Sequence, residues 1–201
     1  GNTGNGQSDI YIVNVSFDLT LLNSQRIGTV GIEKLTSVTK LNNGNYVLAS
    51  YSYDGFGSSD YDIRLDVADS SGVVFNTLIL EELGVQTPVD LCSNEESIFL
   101  LFRNEGAALE ETYFVRNFDY QLNEIQSFGI SLADSFALNA IDVQNNSIWV
   151  AGEIVPQDSV SSDVLILKLS LSGSILSVNN YGGRKSDYAS SILIDSDSTI
   201  L

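Results

Sequence analysis

The sequence predicts an all-β fold, a β-propeller of four repeats, each about 51 residues long and each supplying a four-stranded antiparallel blade. Three observations predict it. A hydrophobic motif recurs as Asp9-Ile-Tyr-Ile-Val-Asn-Val, Asp62-Ile-Arg-Leu-Asp-Val-Ala, Thr112-Tyr-Phe-Val-Arg-Asn-Phe and Asp163-Val-Leu-Ile-Leu-Lys-Leu, with starts 53, 50 and 51 residues apart. A second motif recurs as Asn45-Tyr-Val-Leu-Ala, Ser97-Ile-Phe-Leu-Leu, Ser147-Ile-Trp-Val-Ala and Thr199-Ile-Leu, spaced 52, 50 and 52. No apolar stripe of helical period persists for three turns, whereas Leu165, Leu167, Leu169 and Leu171 share one face at period two.

Each element follows from these anchors. Residues 1–7 are polar and Gly-rich and read as a flexible lead-in. Gly1 reads as the residue left after removal of an export segment. Residues 8–201 form a single propeller domain. Segments 8–16 and 21–27 are the last two strands of one unit, and 190–195 and 198–201 are the first two strands of another. Between them lie three whole units, 35–79, 88–128 and 137–181. Their strands are 35–41, 45–52, 60–68 and 73–79; then 88–92, 97–103, 112–119 and 124–128; then 137–143, 147–153, 163–170 and 175–181. Val, Ile, Leu, Tyr and Phe dominate these runs. Polar turns such as Asn42-Asn43-Gly44 and Ser172-Gly173 separate them, because Asn and Gly accept the positive φ of tight hairpins. Residues 78–83 suit a single helical turn. Pairing 8–27 with 190–201 closes a four-bladed ring through shared strands and leaves no open edge. Since Leu201 falls in mid-strand, an incomplete piece of a larger ring fits equally well, and the number of blades stays open.

Composition narrows the chemistry. Nine Lys and Arg against 26 Asp and Glu give a net charge of −17, and there is no His. A His-dependent triad, a His-ligated metal and an imidazole base are therefore excluded. One Cys excludes an internal disulfide or a CxxC pair. Cys92, in an apolar strand, reads as a buried inert thiol. The acidic balance argues against nucleic acid, and no apolar run is long enough for a transmembrane span.

The fourth repeat carries a further pattern: Asp163-Val-Leu-Ile-Leu-Lys168-Leu-Ser-Leu-Ser-Gly173, then Tyr181-Gly182-Gly183, then Asp187-Tyr-Ala189 and Asp195-Ser-Asp197. This pattern resembles the bacterial β-propeller repeat family of exported and surface proteins. The other copies are degenerate, keeping Gly28, Leu83-Gly84 and Phe128-Gly129. The resemblance implies the fold and export to a secreted, periplasmic or cell-surface location. It brings no catalytic residue.

Candidate binding residues lie where inter-blade loops meet. The Arg184-Lys185-Ser186-Asp187 loop concentrates both charge signs and suits a carboxylate or a sugar. Tyr53, Asp54 and Asp60, on the Gly-rich stretch 51–62, suit carbohydrate stacking or Ca²⁺ coordination by oxygen. Ca²⁺ is the one cofactor the sequence suggests; Asp60-x-Asp62 and Asp195-x-Asp197 match a Ca²⁺ loop only in part, so the metal stays unknown. Glu105, Glu110 and Glu111 are the nearest approach to a paired-carboxylate site. Trp149 takes a repeat position held elsewhere by Val47 and Phe99, which places it between blades. No catalytic residue is assigned. The sequence thus reads as a non-enzymatic binding module for a protein or glycan at the cell surface, with a carboxylate-dependent hydrolase or lyase in the central channel as the alternative. Ligand identity and oligomeric state are left open.

Overall fold

The computed structural model describes residues 8–29, 31–53, 61–106, 111–157 and 159–195. The lead-in 1–7 and the segment 198–201 lie outside the described residues. Fourteen strands run in chain order. They are β1 (Ile10–Val15), β2 (Leu21–Ile27), β3 (Ile32–Lys40), β4 (Tyr46–Tyr53), β5 (Asp62–Ala68), β6 (Val74–Leu80) and β7 (Val85–Ser93). The second half comprises β8 (Ser97–Glu105), β9 (Glu111–Asp119), β10 (Glu124–Ile130), β11 (Ser135–Gln144), β12 (Ser147–Val155), β13 (Asp163–Ser170) and β14 (Ile175–Tyr181). They form three four-stranded sheets, β3-β4-β5-β6, β7-β8-β9-β10 and β11-β12-β13-β14, with β1-β2 as a two-stranded sheet. Every registered strand pair is antiparallel.

Three expectations are corrected. Residues 190–195 do not form a strand; Ile194 makes an isolated bridge only. The helical turn at 78–83 is absent, because β6 carries on to Leu80. The first strands of the units also begin earlier than the apolar run. β3 starts at Ile32 and β11 at Ser135, each continuing past a bulge, at Leu35/Ser37 and Leu138/Ala140. A bulge absorbs one residue and lets the polar start of the strand stay paired. Pro88 is tolerated inside β7 because β7 is an edge strand.

One turn is built four times. In each copy two backbone bonds close a three-residue loop: Ser16 N–H to Thr20 O, Asp69 N–H to Val73 O, Asp119 N–H to Asn123 O and Ser170 N–H to Ser174 O, each with a second bond from the left-handed residue back to the first. The left-handed residues are Leu19, Gly72, Leu122 and Gly173, with φ of 65°, 85°, 66° and 86°. A register shift follows in every copy, the bulge such a loop requires. Ser or Asp opens the turn because its side-chain oxygen accepts the N–H four residues on, as at Thr20, Val73, Asn123 and Ser174. Gly173 serves twice, since its left-handed backbone lies against the Phe128 ring, 2.5 Å from where a Cβ would stand.

The chain divides into two compact units, Gly1–Pro88 with Asn104–Glu111, and Val89–Arg103 with Thr112–Leu201. In the second, Phe99, Leu101, Val115 and Cys92 face Leu138, Ile148, Val150 and the Leu165/Leu167/Leu169 stripe. The opposite face of the last sheet packs Ala140, Ala151 and Ile166 against Ile192 and Ile194. Trp149 borders this cluster, half-buried, with Lys168 Nζ 4.8 Å from its ring centroid. Burial, with smaller contributions from Asp142 and Asp90, pushes the Cys92 thiol well up. In the first unit, Ile10 and Ile27 of the β1-β2 hairpin close on Leu48 and Ala68. Among the described residues, no helix is long and apolar enough to cross a membrane.

Two aspartates on first strands, Asp90 on β7 and Asp142 on β11, each tie their strand to a residue 51 or 52 positions on. Asp90 Oδ1 accepts the Leu91 N–H at 2.8 Å and Oδ2 accepts the Ile141 N–H at 3.0 Å. Asp142 repeats the arrangement, with Val143 N–H at 2.8 Å and Ile194 N–H at 2.7 Å. Asp90→Ala strands two N–H groups and is expected to cost about 2 kcal/mol, read as a lower urea midpoint at unchanged slope.

The turn acids make stability depend on pH. Hydrogen bonds from Ser16, Ser71 and Asn123 hold Asp18, Asp69 and Asp119, respectively, below the usual carboxylate range. A depressed carboxylate stabilises the fold above its unfolded pKa of about 3.9, and that contribution is lost as pH falls through the lower folded value. Asp69→Ser with Asp119→Ser copies the capping residue of the other two turns. The double variant is expected to lose less melting temperature than the parent between pH 5 and pH 2.5, as about a unit either side of the carboxylate range requires.

Candidate binding site

The fourth repeat explains why its signature residues recur. Asp163 opens β13, and its Oδ2 accepts from Asn180 Nδ2, 17 residues on, at 3.3 Å. Gly182 follows β14 closely enough that a Cβ there would lie 1.9 Å from Asp163 Oδ1. The Gly183 N–H then donates to Asp187 Oδ2 at 3.1 Å, and the Asp187 N–H donates to Ser162 O at 2.8 Å. The Asp and the Gly are matched in space, and Asp187 shapes the loop that joins them. Arg184 and Lys185 lie exposed on this loop, with no ion pair or hydrogen bond among the described residues.

The first repeat has the same parts with larger side chains. Asp9 opens the hairpin and is paired by Arg26, also 17 residues on. Gly28 takes the place of Gly182, its Cβ position 2.0 Å from Asp9 Oδ1. The Thr29 N–H donates to Glu33 Oε1 at 3.0 Å, the Thr29 hydroxyl donates to the same oxygen, and the Glu33 N–H donates to Ser8 O at 2.9 Å. Here, however, the acid at the end of the loop is buried. Nearby on β5, Arg64 grips the fully buried Asp66 through Nε at 2.8 Å and Nη2 at 2.9 Å, and Thr77 Oγ1 donates to the same carboxylate at 2.6 Å. The hydrogen bond to Asp66 raises the Arg64 pKa; burial opposes it, and the charges of Asp66 and Glu33 add to it.

The opposite face of the same sheet carries aromatics. Tyr61 stands edge-on to Tyr51 with centroids 5.2 Å apart and tilted to Tyr53 at 5.4 Å. Lys34 Nζ sits 5.9 Å from the Tyr51 centroid. All three tyrosines are half-buried. A separate groove of about 320 Å³ runs between the hairpin and β3-β4, lined by Tyr11, Leu35, Val38 and Tyr46 with Asp69 and Ser70 at its rim.

With this geometry in place, the chain can be compared with known proteins. It is similar to a solved subtype N10 neuraminidase-like protein of A/little yellow-shouldered bat/Guatemala, with a TM-score of 0.51 and 10% identity, over 78% of this chain and 45% of that one. The fold is β-propeller-like. A subtype N11 neuraminidase-like protein of A/flat-faced bat/Peru aligns at a TM-score of 0.43 and 6% identity, over 72% of this chain and 52% of that one. The chain thus spans about half the length of the solved proteins it resembles. No family model matches it, and no curated protein does.

The residues expected to bind fall into separate places. Arg184, Lys185 and Asp187 share one loop of the second unit, and Tyr53 joins the tyrosine group of the first. Asp54, Asp60, Glu110 and Asp197 lie outside the described residues. Asp62, Asp195 and Glu105 already have partners. No group of three or more acidic or thiol side chains among the described residues is placed to hold a metal. Asp9, Arg26, Glu33, Arg64 and Asp66 carried no signal of their own in so acidic a chain. Superposing Asp9/Arg26/Gly28 on Asp163/Asn180/Gly182 was the signal that finds them.

The Arg64–Asp66 pair gives a direct test. Arg64→Met leaves a buried carboxylate without its cation and is expected to cost about 3 kcal/mol, most of which the double variant Arg64→Met/Asp66→Leu recovers. Chemical denaturation of the three proteins reads both effects.

Proposed function

We propose that the chain is a non-catalytic binding module acting at the cell surface, and that it binds glycan through the Tyr51–Tyr53–Tyr61 group. The half-exposed tyrosines, with Lys34 beside them, carry this reading. A tyrosine ring offers an apolar face to the C–H face of a sugar at small entropic cost, and its hydroxyl stays available to hydrogen-bond. Lys34 adds a cation that suits an acidic sugar.

The resemblance to exported repeat proteins supports a secreted, periplasmic or cell-surface setting, and the charge of −17 suits solubility there. A hydrolase or lyase needs two carboxylates open to substrate. The pair that does converge, Asp9 and Glu33, is buried. The wild-type chain is expected to retain a subset of acidic and neutral glycans on an array. Tyr51→Ala and Tyr53→Ala are each expected to weaken that binding at least tenfold with the melting temperature little changed, since a stacking contact of about 1.4 kcal/mol corresponds to that factor. A wild-type chain that retains no glycan overturns the reading.

A further inference from the structure

Beside Gly28, in the connection between β2 and β3, stand two carboxylate oxygens, one from Asp9 just before β1 and one from Glu33 in β3. Glu33 is 2% exposed, and its Oε2 has no hydrogen-bond partner among the described residues. Asp9 Oδ1, on a side chain 6% exposed, has none either. Both point at one spot: a Cβ on Gly28 would lie 2.0 Å from Asp9 Oδ1 and 2.9 Å from Glu33 Oε2, so the oxygens are at most 4.9 Å apart. What Gly28 supplies is room, since its backbone is not left-handed.

The charges do not balance. Asp9 is paired by Arg26 and Asp66 by Arg64, whose charge also acts on Glu33, so three carboxylates share two cations. A buried carboxylate is stable only when paired or liganded, and its free lone pairs must be met. A bridging water meets the lone pairs but leaves the charge. A cation meets both.

We propose that Asp9 and Glu33 are the acidic ligands of a Ca²⁺ site that ties the start of β1 to the β2–β3 connection. The free donors are hard oxygens and the chain has no His, which favours Ca²⁺ or Mg²⁺ over zinc. Ca²⁺ accepts the irregular shell that two side chains and the main chain offer, whereas Mg²⁺ holds its own waters in an octahedron. Main-chain oxygen and water complete the shell. The fourth repeat is the internal contrast: the same Asp and Gly stand there, but Asp187 is exposed and satisfied by solvent, so that copy needs no ion. The site does not depend on the glycan reading.

The test is melting temperature and calorimetric titration of the full chain with CaCl₂ after EDTA treatment. Wild type is expected to bind Ca²⁺ and to melt several degrees higher in millimolar Ca²⁺ than in EDTA, with a smaller response to MgCl₂. Glu33→Gln removes the excess charge and provides a donor for Asp9 Oδ1. This variant is expected to melt at or above wild type in EDTA and to bind Ca²⁺ at least tenfold more weakly. Asp9→Asn is the second variant should Glu33→Gln fail to fold, and Glu95→Gln, exposed on the turn between β7 and β8, is expected to keep the response. The proposal is overturned if wild type ignores Ca²⁺, or if either site variant keeps the full response. It is also overturned if wild type in EDTA gains stability on acidification to pH 5 and ignores Ca²⁺, which assigns the oxygens to a shared proton.

Discussion

The hydrogen bonds of Asp90 and Asp142 carry the architecture of the second unit. A sheet by itself ends at its first strand, whose outer edge offers unpaired N–H groups. Each aspartate gives one carboxylate oxygen to the next N–H along the chain and the other to an N–H 51 or 52 residues on, at Ile141 in β11 and at Ile194. A carboxylate suits this task because it accepts two directional bonds without donating any. With first strands held in this way, the apolar faces of β8 and β9 meet those of β12 and β13, and the Leu165/Leu167/Leu169 stripe packs without exposed area. The hydrophobic effect then contributes most of the stability, but it acts on an arrangement these polar bonds select.

The hairpin turns hold the strands in register. A one-residue slip in any of them would exchange the two faces of a strand, as at the Ser170–Ser174 turn, which follows the leucine stripe of β13. Four copies use the same loop and bulge, yet two reach the left-handed conformation with leucine. Leu122 is buried, so packing offsets the backbone cost; Leu19 is exposed and has no such return.

Much of the fold was legible in the sequence because its signals are local and repeated. Strands β2, β13 and β14 begin and end where the alternation of apolar residues places them, and the turn opening at Asp69 is visible in its Asp-Ser-Ser-Gly spacing. The misjudged elements are those whose limits depend on neighbours. β3 and β11 run past a bulge because a partner strand keeps pairing them, and 190–195 lacks such a partner among the described residues. The candidate site was legible only in part. Tyr53 stood out by composition in the stretch 51–62, which also holds Tyr51 and Tyr61, but the cation Lys34 comes from β3.

The sequence by itself determined the repeat, the number of strands in a unit, the turn chemistry and the absence of imidazole and disulfide chemistry, since each depends on residue type and spacing along the chain. Only the tertiary structure decided which acids matter. Twenty-six carboxylates look alike in one dimension. Folding leaves acids such as Glu81, Glu82, Glu95 and Glu124 exposed, sets Asp90 and Asp142 to bridging strands, pairs Asp66 with Arg64, and brings Asp9 and Glu33 together in a cradle that glycine leaves open. The reason is desolvation: a carboxylate takes on a role when water is removed from it, and burial is a property of the packed chain.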